Sequence, residues 1–216
     1  MMTSQKPSIE LNSDTVTNIL VVGIGGQGVM TAADVLSQAA LALGYDVKKT
    51  EVAGMAQRGG VVTSHVRFGK QVLSPAIKPG DADMMIAFEP AEALRWHTHM
   101  KSGAVVMVND YPLIPPVVSI GLYEYPDNPL GQLANDSVEL HHFNAGEAAI
   151  ELGDRRLVNS IMLGAIADHL PFSPEILEQA LLARFQRKGE ALTELNRRAF
   201  TLGRQAFIQV DSLATA

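Results

Sequence analysis

The chain of 216 residues contains no cysteine. This absence excludes structural disulfides, and it also excludes an iron–sulfur cluster held by cysteines of this chain. Charged residues are sparse as well, at 19% of the sequence with a net charge of −6, and lysine and arginine form no cluster along it. A nucleic-acid-binding protein usually carries a basic face, so we expect no nucleic-acid partner. Phosphate ligands are not excluded, because backbone amides at a helix start bind anions without basic side chains.

Long apolar runs are also lacking. No stretch approaches the roughly 18 apolar residues of a membrane-spanning helix, and residues 1–16 are polar, unlike the apolar centre of a secretory signal. The sequence also lacks the G-x-S-x-G, P-loop and H-E-x-x-H motifs. We therefore expect a cytoplasmic protein with no membrane partner, in which residues 1–16 form a flexible tail and residues 17–210 a single domain.

The amino-terminal half contains a clear strand–helix–strand pattern. Asn18–Val22 is a short apolar, β-branched run, which predicts a buried strand. Apolar residues then recur three and four positions apart from about residue 27 to Leu43, which predicts a helix that ends at Gly44. Residues 46–51 are predicted to form a second strand. The unit predicts an α/β fold with a right-handed crossover connection.

The rest of the chain contains further predicted elements. Strands are predicted at residues 61–68, 83–88, 104–109 and 139–143, and helices at 90–100, 157–169, from 173 onwards and at 192–208. The proline-rich stretch 110–136 predicts an irregular connection with one short strand near residues 117–123.

The turn between the first strand and the first helix is rich in glycine. Gly23, Gly25 and Gly28 have the spacing G-x-G-x-x-G, in which the first glycine permits a tight turn, the second admits a phosphate and the third allows close helix packing. Glu51 follows Gly28 by 23 residues, near the position of a ribose-binding acid. The motif alone therefore permits a stand-alone NAD(P)- or nucleotide-binding enzyme. It equally permits a turn that only shapes the corner.

A second unusual segment follows the second predicted strand. It runs from Glu51 to Gly60 and contains Gln57, Arg58 and three glycines. Loops at the carboxyl ends of parallel strands line the binding crevice of α/β sheets, so we expect this loop to lie near the glycine turn. Gln57 and Arg58 can donate hydrogen bonds to a phosphate or carboxylate. A solvated surface loop is the alternative.

Histidines offer only one candidate patch. His65 and Arg67 share one face of a predicted strand, where they could form a polar patch at a site or at a subunit interface. Structural roles for both residues are the alternative. The remaining close histidines lack the spacing of metal ligands, and they are His97, His99, His141 and His142. We expect neither a metal site nor a catalytic residue in this chain.

Several segments together resemble a known family. They are Gly23-Ile-Gly-Gly-Gln-Gly28, the segment from Glu51 to Gly60, Ser64-His-Val-Arg67, Asn159-Ser-Ile-Met-Leu-Gly164, and Lys188-Gly189 followed by Asn196-Arg-Arg-Ala-Phe-Thr-Leu-Gly203. In order and spacing they resemble the gamma-type subunits of 2-oxoacid:ferredoxin oxidoreductases, and within these the beta subunits of the indolepyruvate enzymes. The resemblance spans roughly residues 17–208.

The resemblance implies a fold and a division of labour. Members have a three-layer Rossmann-like α/β fold with a mostly parallel sheet, here followed by a helical carboxyl-terminal portion. The complex converts a 2-oxoacid and coenzyme A to acyl-CoA and carbon dioxide and reduces ferredoxin. Thiamine diphosphate and the iron–sulfur clusters reside on a partner subunit, which agrees with the lack of cysteine. The isolated chain is then expected to be inactive, able to form a homodimer, and unable to bind NAD.

The resemblance also implies roles for particular residues. Coenzyme A or the partner would be contacted by the turn residues Gly23, Gly25, Gly26, Gln27 and Gly28 and by the loop residues Gln57, Arg58, Gly59 and Gly60. The surface or interface would be supported by Glu51, Met55, His65 and Arg67. Two rival hypotheses remain at this point. One is the NAD(P)-binding enzyme that uses Glu51, and the other is a homodimeric scaffold that binds neither ligand.

Overall fold

A six-stranded sheet forms the centre of the molecule. The computed structural model describes residues 15–54, 60–114, 118, 121, 124–134 and 137–214, with side chains in the last helix as far as residue 206. The strands of this part are β1 (Thr17–Ile24), β2 (Asp46–Ala53), β3 (Val61–Gly69), β4 (Ala82–Ala87), β5 (Met100–Asn109) and β6 (Glu139–Phe143). They lie in the order β2-β3-β1-β4-β5-β6.

All strands except β3 run in one direction. The pairs β1–β4, β4–β5 and β5–β6 are parallel, whereas β3 is antiparallel to both of its neighbours, β1 and β2. The predicted mostly parallel sheet is confirmed. The predicted strand–helix–strand unit is also present, but its two strands are not adjacent, because β3 lies between them. The strand β3 pairs antiparallel with β2 on one side and with the whole length of β1 on the other.

Seven α-helices accompany the sheet in the described part of the chain. They are α1 (Val29–Ala42), α2 (Pro90–Trp96), α3 (Pro129–Leu133), α4 (Ala145–Glu151), α5 (Val158–Ile166), α6 (Pro174–Phe185) and α7 (Glu190–Ala214). Short 3-10 turns precede or extend several of them, at His97–His99, Arg155–Leu157, Ala167–His169 and Gln186–Lys188. None of the described helices combines the length and the apolar character that crossing a bilayer requires.

The helices cover both faces of the sheet and create two cores. Alternation along β1 sends Ile19 and Val21 to one face and Leu20 and Val22 to the other, and all four are fully buried. The first face packs against α1 and α4 to α7, and the second against α2 and α3. A strand buried on both faces reads as a continuous apolar run, as β1 does. The three-layer α/β architecture with a helical carboxyl-terminal portion is therefore confirmed.

Proline at the first helical position explains which helix starts were predictable. The predicted starts at Pro90 and Pro174 are confirmed, because proline at the first position follows Glu89 and Ser173 respectively. Two helices, α3 and α4, were not predicted from the sequence. The helix α3 begins within the stretch read as irregular, and its cap Asn128 accepts a hydrogen bond from Gly131 N at 3.1 Å. The helix α4 is only seven residues long, too short for a periodic signal. The strand expected at residues 117–123 falls almost wholly outside the described residues.

The helices α5 and α7 touch through their backbones. A Cβ added to Gly164 would lie 2.0 Å from the carbonyl oxygen of Phe200, and one added to Gly203 would lie 1.9 Å from that of Ile161. Neither oxygen is the end of a flexible side chain, so the helices would have to separate. These two glycines belong to the segments that carry the family resemblance, and the structure shows that they set the distance between α5 and α7.

We expect Gly203→Ala to destabilise the chain strongly. Alanine is the better helix former by about 1 kcal/mol, but overpacking against immovable backbone costs about 3 kcal/mol or more, so the steric effect dominates. Chemical denaturation measures the free energy of unfolding. Thr201→Ala, on the exposed side of the same helix, is the matched control and should change stability by less than about 0.5 kcal/mol. Equal stability of the Gly203→Ala and Thr201→Ala variants would contradict the packing argument.

Candidate functional site

The glycine turn joins the carboxyl end of β1 to the start of α1. Gly26 and Gly28 have φ angles of +103° and +87°, in the left-handed region that glycine adopts without strain. A Cβ on Gly28 would also lie 2.3 Å from the side-chain nitrogen of Asn159. Gly23 is a buried residue of β1, and the backbone N–H of Gly25 donates to the carbonyl of Gly60 at 2.8 Å. Both steric and conformational reasons therefore require glycine in this turn.

The side chain of Gln27 serves the turn itself. Its Oε1 accepts a hydrogen bond from Ile24 N at 2.7 Å, and its Nε2 donates to the carbonyl of Phe88 at 2.9 Å. The same carbonyl accepts a second bond, at 3.1 Å, from the side chain of Asn109 at the end of β5. One backbone oxygen thus ties together the ends of β1, β4 and β5. Gln27 therefore presents its backbone, rather than its amide group, to any ligand in the turn.

The loop after β2 reaches the glycine turn. The bond from Gly25 to the carbonyl of Gly60 confirms that this loop ends beside the turn, as expected. Four residues of the predicted site lie outside the described residues, and they are Met55, Gln57, Arg58 and Gly59. Their contacts with coenzyme A or a partner stay predictions.

Asn159, near the start of α5, faces the turn from the other side. Its Nδ2 donates to the carbonyl of Gly28 at 2.6 Å, which ties α5 to the start of α1. Its Oδ1 is buried and has no hydrogen-bond partner among the described residues. A buried polar atom without a partner is uncommon, so this oxygen is a candidate acceptor for a ligand or a water molecule.

A cleft of about 620 Å³ opens at this point, a typical volume for a small-molecule site. Its walls include the glycine turn, the end of β5 and parts of α5, α6 and α7. Four basic side chains line it: Arg155, Arg156, Arg184 and Lys188. Only one acidic residue, Asp154, lines it among the described residues. The cleft therefore has an excess of positive charge in a chain whose net charge is −6.

The start of α1 adds to this positive potential. The helix has 14 residues, and within the described part of the chain no side chain caps its first turn and no acidic residue occupies it. The backbone N–H groups at such a start favour an anion. Arg156 is engaged by Asp154, with bonds of 3.0, 3.1 and 2.6 Å to its two oxygens, and this pairing lowers the pKa of the Asp154 carboxyl. The arrangement can therefore bind an anionic ligand, above all a phosphate.

The basic residues of the cleft were not predicted from the sequence. They come in two pairs about thirty positions apart, so no charge cluster appears along the chain. Their positions next to, or within, the family segments were the one signal that could have indicated them. Arg155 and Arg156 lie four and three positions before Asn159, and Lys188 belongs to the Lys188-Gly189 pair of the family resemblance.

Glu51 lies far from the position of a ribose-binding acid. Glu51 lies on the edge strand β2, and β3 separates β2 from β1. Two strand spacings amount to about 10 Å, whereas a Rossmann acid lies on the strand next to the glycine turn. Its side chain instead pairs with Lys49, Oε1 to Nζ, at 2.7 Å. The geometry therefore weighs against the NAD(P) hypothesis.

His65 and Arg67 hold a loop against the opposite face of the sheet. The Nδ1 of His65 accepts a bond from Ile77 N at 3.0 Å, and Arg67 donates to the carbonyls of Ser74 and Ala76 at 2.8 and 3.1 Å. Arg67 pairs with the amino end of β1, about 20 Å from the turn by strand rise. Their bonds to the connection between β3 and β4 account for both residues. Support of the coenzyme A surface or of an interface stays a prediction for them.

The comparisons with known proteins agree with one another. A family model described as pyruvate ferredoxin/flavodoxin oxidoreductase matches residues 18–206. The indolepyruvate oxidoreductase subunit IorB of Archaeoglobus fulgidus is 38% identical over 190 residues, which are 86% of this chain and 92% of that protein. These matches confirm the family resemblance that the sequence segments indicated.

Two solved structures share the fold. The gamma subunit of a keto/oxoacid ferredoxin oxidoreductase from Geobacter sulfurreducens has a TM-score of 0.65 at 23% identity, with 89% of this chain and 99% of that chain covered. The 2-oxoglutarate:ferredoxin oxidoreductase of Magnetococcus marinus, solved with 2-oxoglutarate, coenzyme A and succinyl-CoA, has a TM-score of 0.71 at 21% identity. The match covers 91% of this chain but only 32% of that longer chain.

The contact between Gly28 and Asn159 generates a first prediction about the site. We expect Gly28→Ala to cost about 1–3 kcal/mol, because the new Cβ meets Asn159 and the positive φ becomes strained. Asn159→Ala removes the bond to the Gly28 carbonyl and a longer one, of 3.4 Å, to the Gln27 carbonyl, and it should cost about 1–2 kcal/mol. The double variant should lose less stability than the sum, because the clash disappears. Denaturant titration of all four chains tests this, and strictly additive losses would contradict it.

The buried His65 generates a second prediction. Burial, reinforced by the nearby His99 and Arg67, lowers the pKa of His65 below its usual value, so the folded chain keeps it neutral. The unfolded chain takes up a proton near pH 6.5. The stability contributed by the neutral ring is therefore present above that pH and is lost as pH falls below it. We expect His65→Asn, which keeps an acceptor for Ile77, to weaken the pH dependence between pH 7 and 5.

Thermal denaturation at several pH values measures this difference. Burial also lowers the pKa of His99, so His65→Asn should reduce the dependence without abolishing it. Identical pH profiles of the parent chain and the variant would contradict the assignment of a neutral, structural His65.

Proposed function

This chain belongs to the pyruvate ferredoxin/flavodoxin oxidoreductase family, and we propose on that premise that it acts as a non-catalytic subunit of a 2-oxoacid:ferredoxin oxidoreductase of the indolepyruvate or aryl pyruvate type. Its complex would oxidatively decarboxylate the 2-oxoacid, transfer the acyl group to coenzyme A and pass the electrons to ferredoxin. The partner subunit would hold thiamine diphosphate and the iron–sulfur clusters.

The residues of this chain support such a division of labour. It contains no cysteine, so it supplies none of the usual ligands of an iron–sulfur cluster. The relative from Archaeoglobus fulgidus is itself named a subunit, and this chain aligns with 92% of it. We assign to this chain the binding and orientation of a substrate of the complex, because its cleft residues are suited to holding an anion.

The positively charged cleft beside the glycine turn is the observation that supports the role of coenzyme A. Coenzyme A carries several phosphate groups, and the start of α1 together with Arg155 and Arg184 offers the donors that phosphates prefer. The unpartnered Oδ1 of Asn159 offers an acceptor in the same cleft. The Magnetococcus enzyme, which shares this fold, was solved with coenzyme A bound.

The rim of the cleft supports contact with the partner subunit. Leu113, Ile114 and Ile150 are large apolar side chains that are 41%, 55% and 44% exposed. Leu113 and Ile150 line the cleft, and Ile114 adjoins Leu113 in the chain. Exposed apolar groups that gather around a polar cleft are typical of surfaces that a partner covers. A partner seated there would close the cleft and exclude water from the reaction.

Steady-state kinetics of the co-expressed complex test the proposal. We expect Arg155→Ala and Arg184→Ala each to raise KM for coenzyme A by about tenfold or more, because a charge-assisted bond to phosphate is lost. The KM for the 2-oxoacid should not change. Arg198→Ala removes the same charge from an exposed position on α7 outside the cleft, and it should leave both constants unchanged.

Other outcomes would support different functions. If neither cleft variant changed KM for coenzyme A, the cleft would not bind it, although the chain could still be a subunit. If the isolated chain bound NAD(H), and Glu51→Ala abolished that binding, the stand-alone nucleotide enzyme would replace this proposal. A chain that neither co-purifies with a thiamine- and cluster-bearing partner nor supports turnover would favour a scaffold.

A further inference from the structure

Three side chains with metal-binding atoms converge at the open edge of the sheet. Glu139 and His141 lie on the edge strand β6, and His169 lies in the 3-10 turn that extends α5. One ligand atom from each residue lies within 4.8 Å of the other two. The Nε2 of His141 is 2.8 Å from Oε1 of Glu139, and the two imidazole rings have centroids 5.7 Å apart.

The fold explains why these residues meet. Strand alternation places Glu139 and His141 on the same face of β6, and that face packs against the helical layer that contains α5. The end of α5 brings His169, which is 28 positions further along the chain, to the same place. His141 does not act with its sequence neighbour His142, because His142 points to the opposite face and is 47% exposed, compared with 9% for the side chain of His141.

The chemistry of the three groups suits a particular class of ion. Imidazole nitrogen binds zinc and related transition metals, whereas sites for magnesium and calcium are built from oxygen atoms. Two histidines and one glutamate form the ligand set of many zinc sites, which leave a fourth position for water or another ligand. The ligand atoms of a tetrahedral zinc ion lie about 3.3 Å from one another. The half-exposed Glu139 can move to meet this geometry.

The nearby charges do not oppose a cation. Asp168 precedes His169, and both of its oxygens accept bonds of 2.7 Å from Arg204. The charge of Arg204 is therefore largely neutralised by Asp168. Glu139 is 52% exposed, so an ion can enter from solvent, while the buried His141 fixes one side of the site.

We propose that Glu139, His141 and His169 bind one divalent transition-metal ion of the zinc type. The ion would join the edge strand β6 to the end of α5, and it would therefore act as a structural clamp on the side of the molecule that carries no other strand. This site goes beyond the proposed function, and it shares no residue with the coenzyme A cleft.

Metal titration of the full chain tests the proposal. The chain is purified without a histidine tag, treated with a chelator and titrated with Zn²⁺ in competition with a chromophoric indicator. We expect one ion per chain and a rise of Tm on binding, because an ion that binds only the folded state stabilises it. X-ray absorption should show nitrogen or oxygen ligands at about 2.0–2.1 Å and no sulfur.

Variants assign the ion to these residues. Even second-sphere changes weaken metal sites by about 10–100-fold, so Glu139→Gln and His169→Gln should each weaken Zn²⁺ binding by at least about tenfold. His142→Gln, on the same strand but the opposite face, is the matched control and should bind as the parent chain does. Circular dichroism establishes that each variant is folded.

The results that overturn the site are equally definite. Sub-stoichiometric binding of Zn²⁺ to the parent chain would do so. So would unchanged affinity in both folded ligand variants, or an equal loss of affinity in His142→Gln. Neither result would bear on coenzyme A, which is measured through KM in the assembled complex.

Discussion

The carbonyl oxygen of Phe88 is the point on which the arrangement of the cleft depends. It accepts hydrogen bonds from the side chains of Gln27 and Asn109, while the N–H of Phe88 donates to Val22 in β1. The ends of three parallel strands are thereby held in one geometry. Because Oε1 of Gln27 also holds the backbone at Ile24, the glycine turn and the start of α1 keep their position relative to the rest of the sheet. A phosphate site made of backbone amides requires that rigidity.

The helix α5 connects the separate parts of the molecule. At its start, Asn159 bonds to the carbonyl of Gly28 and faces the cleft. At its middle, Gly164 allows backbone contact with α7, and Ser160 donates to Asn196 of α7 at 2.6 Å. At its end, His169 reaches β6. A displacement of α5 would therefore alter the cleft, the helical layer and the sheet edge together. This explains why a family signature can extend over a helix that is almost wholly buried.

The glycines of the family segments and the basic residues of the cleft have different physical roles. Gly164 and Gly203 are required because a Cβ would collide with backbone, and Gly28 because of its positive φ and the adjacent Asn159 side chain, so all three determine packing. The basic residues of the cleft determine charge, and the closest contacts of Arg156 and Arg184 are ion pairs with Asp154 and Asp34 that leave much of each side chain exposed. Exposed pairs contribute little to stability. We therefore assign the glycines to the fold and the arginines to binding.

Local features of the sequence determined the strand β1, the turn and helix α1, because apolar periodicity, glycine spacing and proline at helix starts act over a few residues. The order and spacing of the segments that contain these glycines also indicated the family. Only the tertiary structure decided that β3 separates β2 from β1, which places Glu51 two strands from the glycine turn and away from the position of a ribose-binding acid. It also decided that two remote pairs of basic residues share one cleft, and that His141 meets His169 rather than acting with His142. These outcomes depend on contacts between distant parts of the chain, and spacing along a sequence carries no record of which distant segments become neighbours.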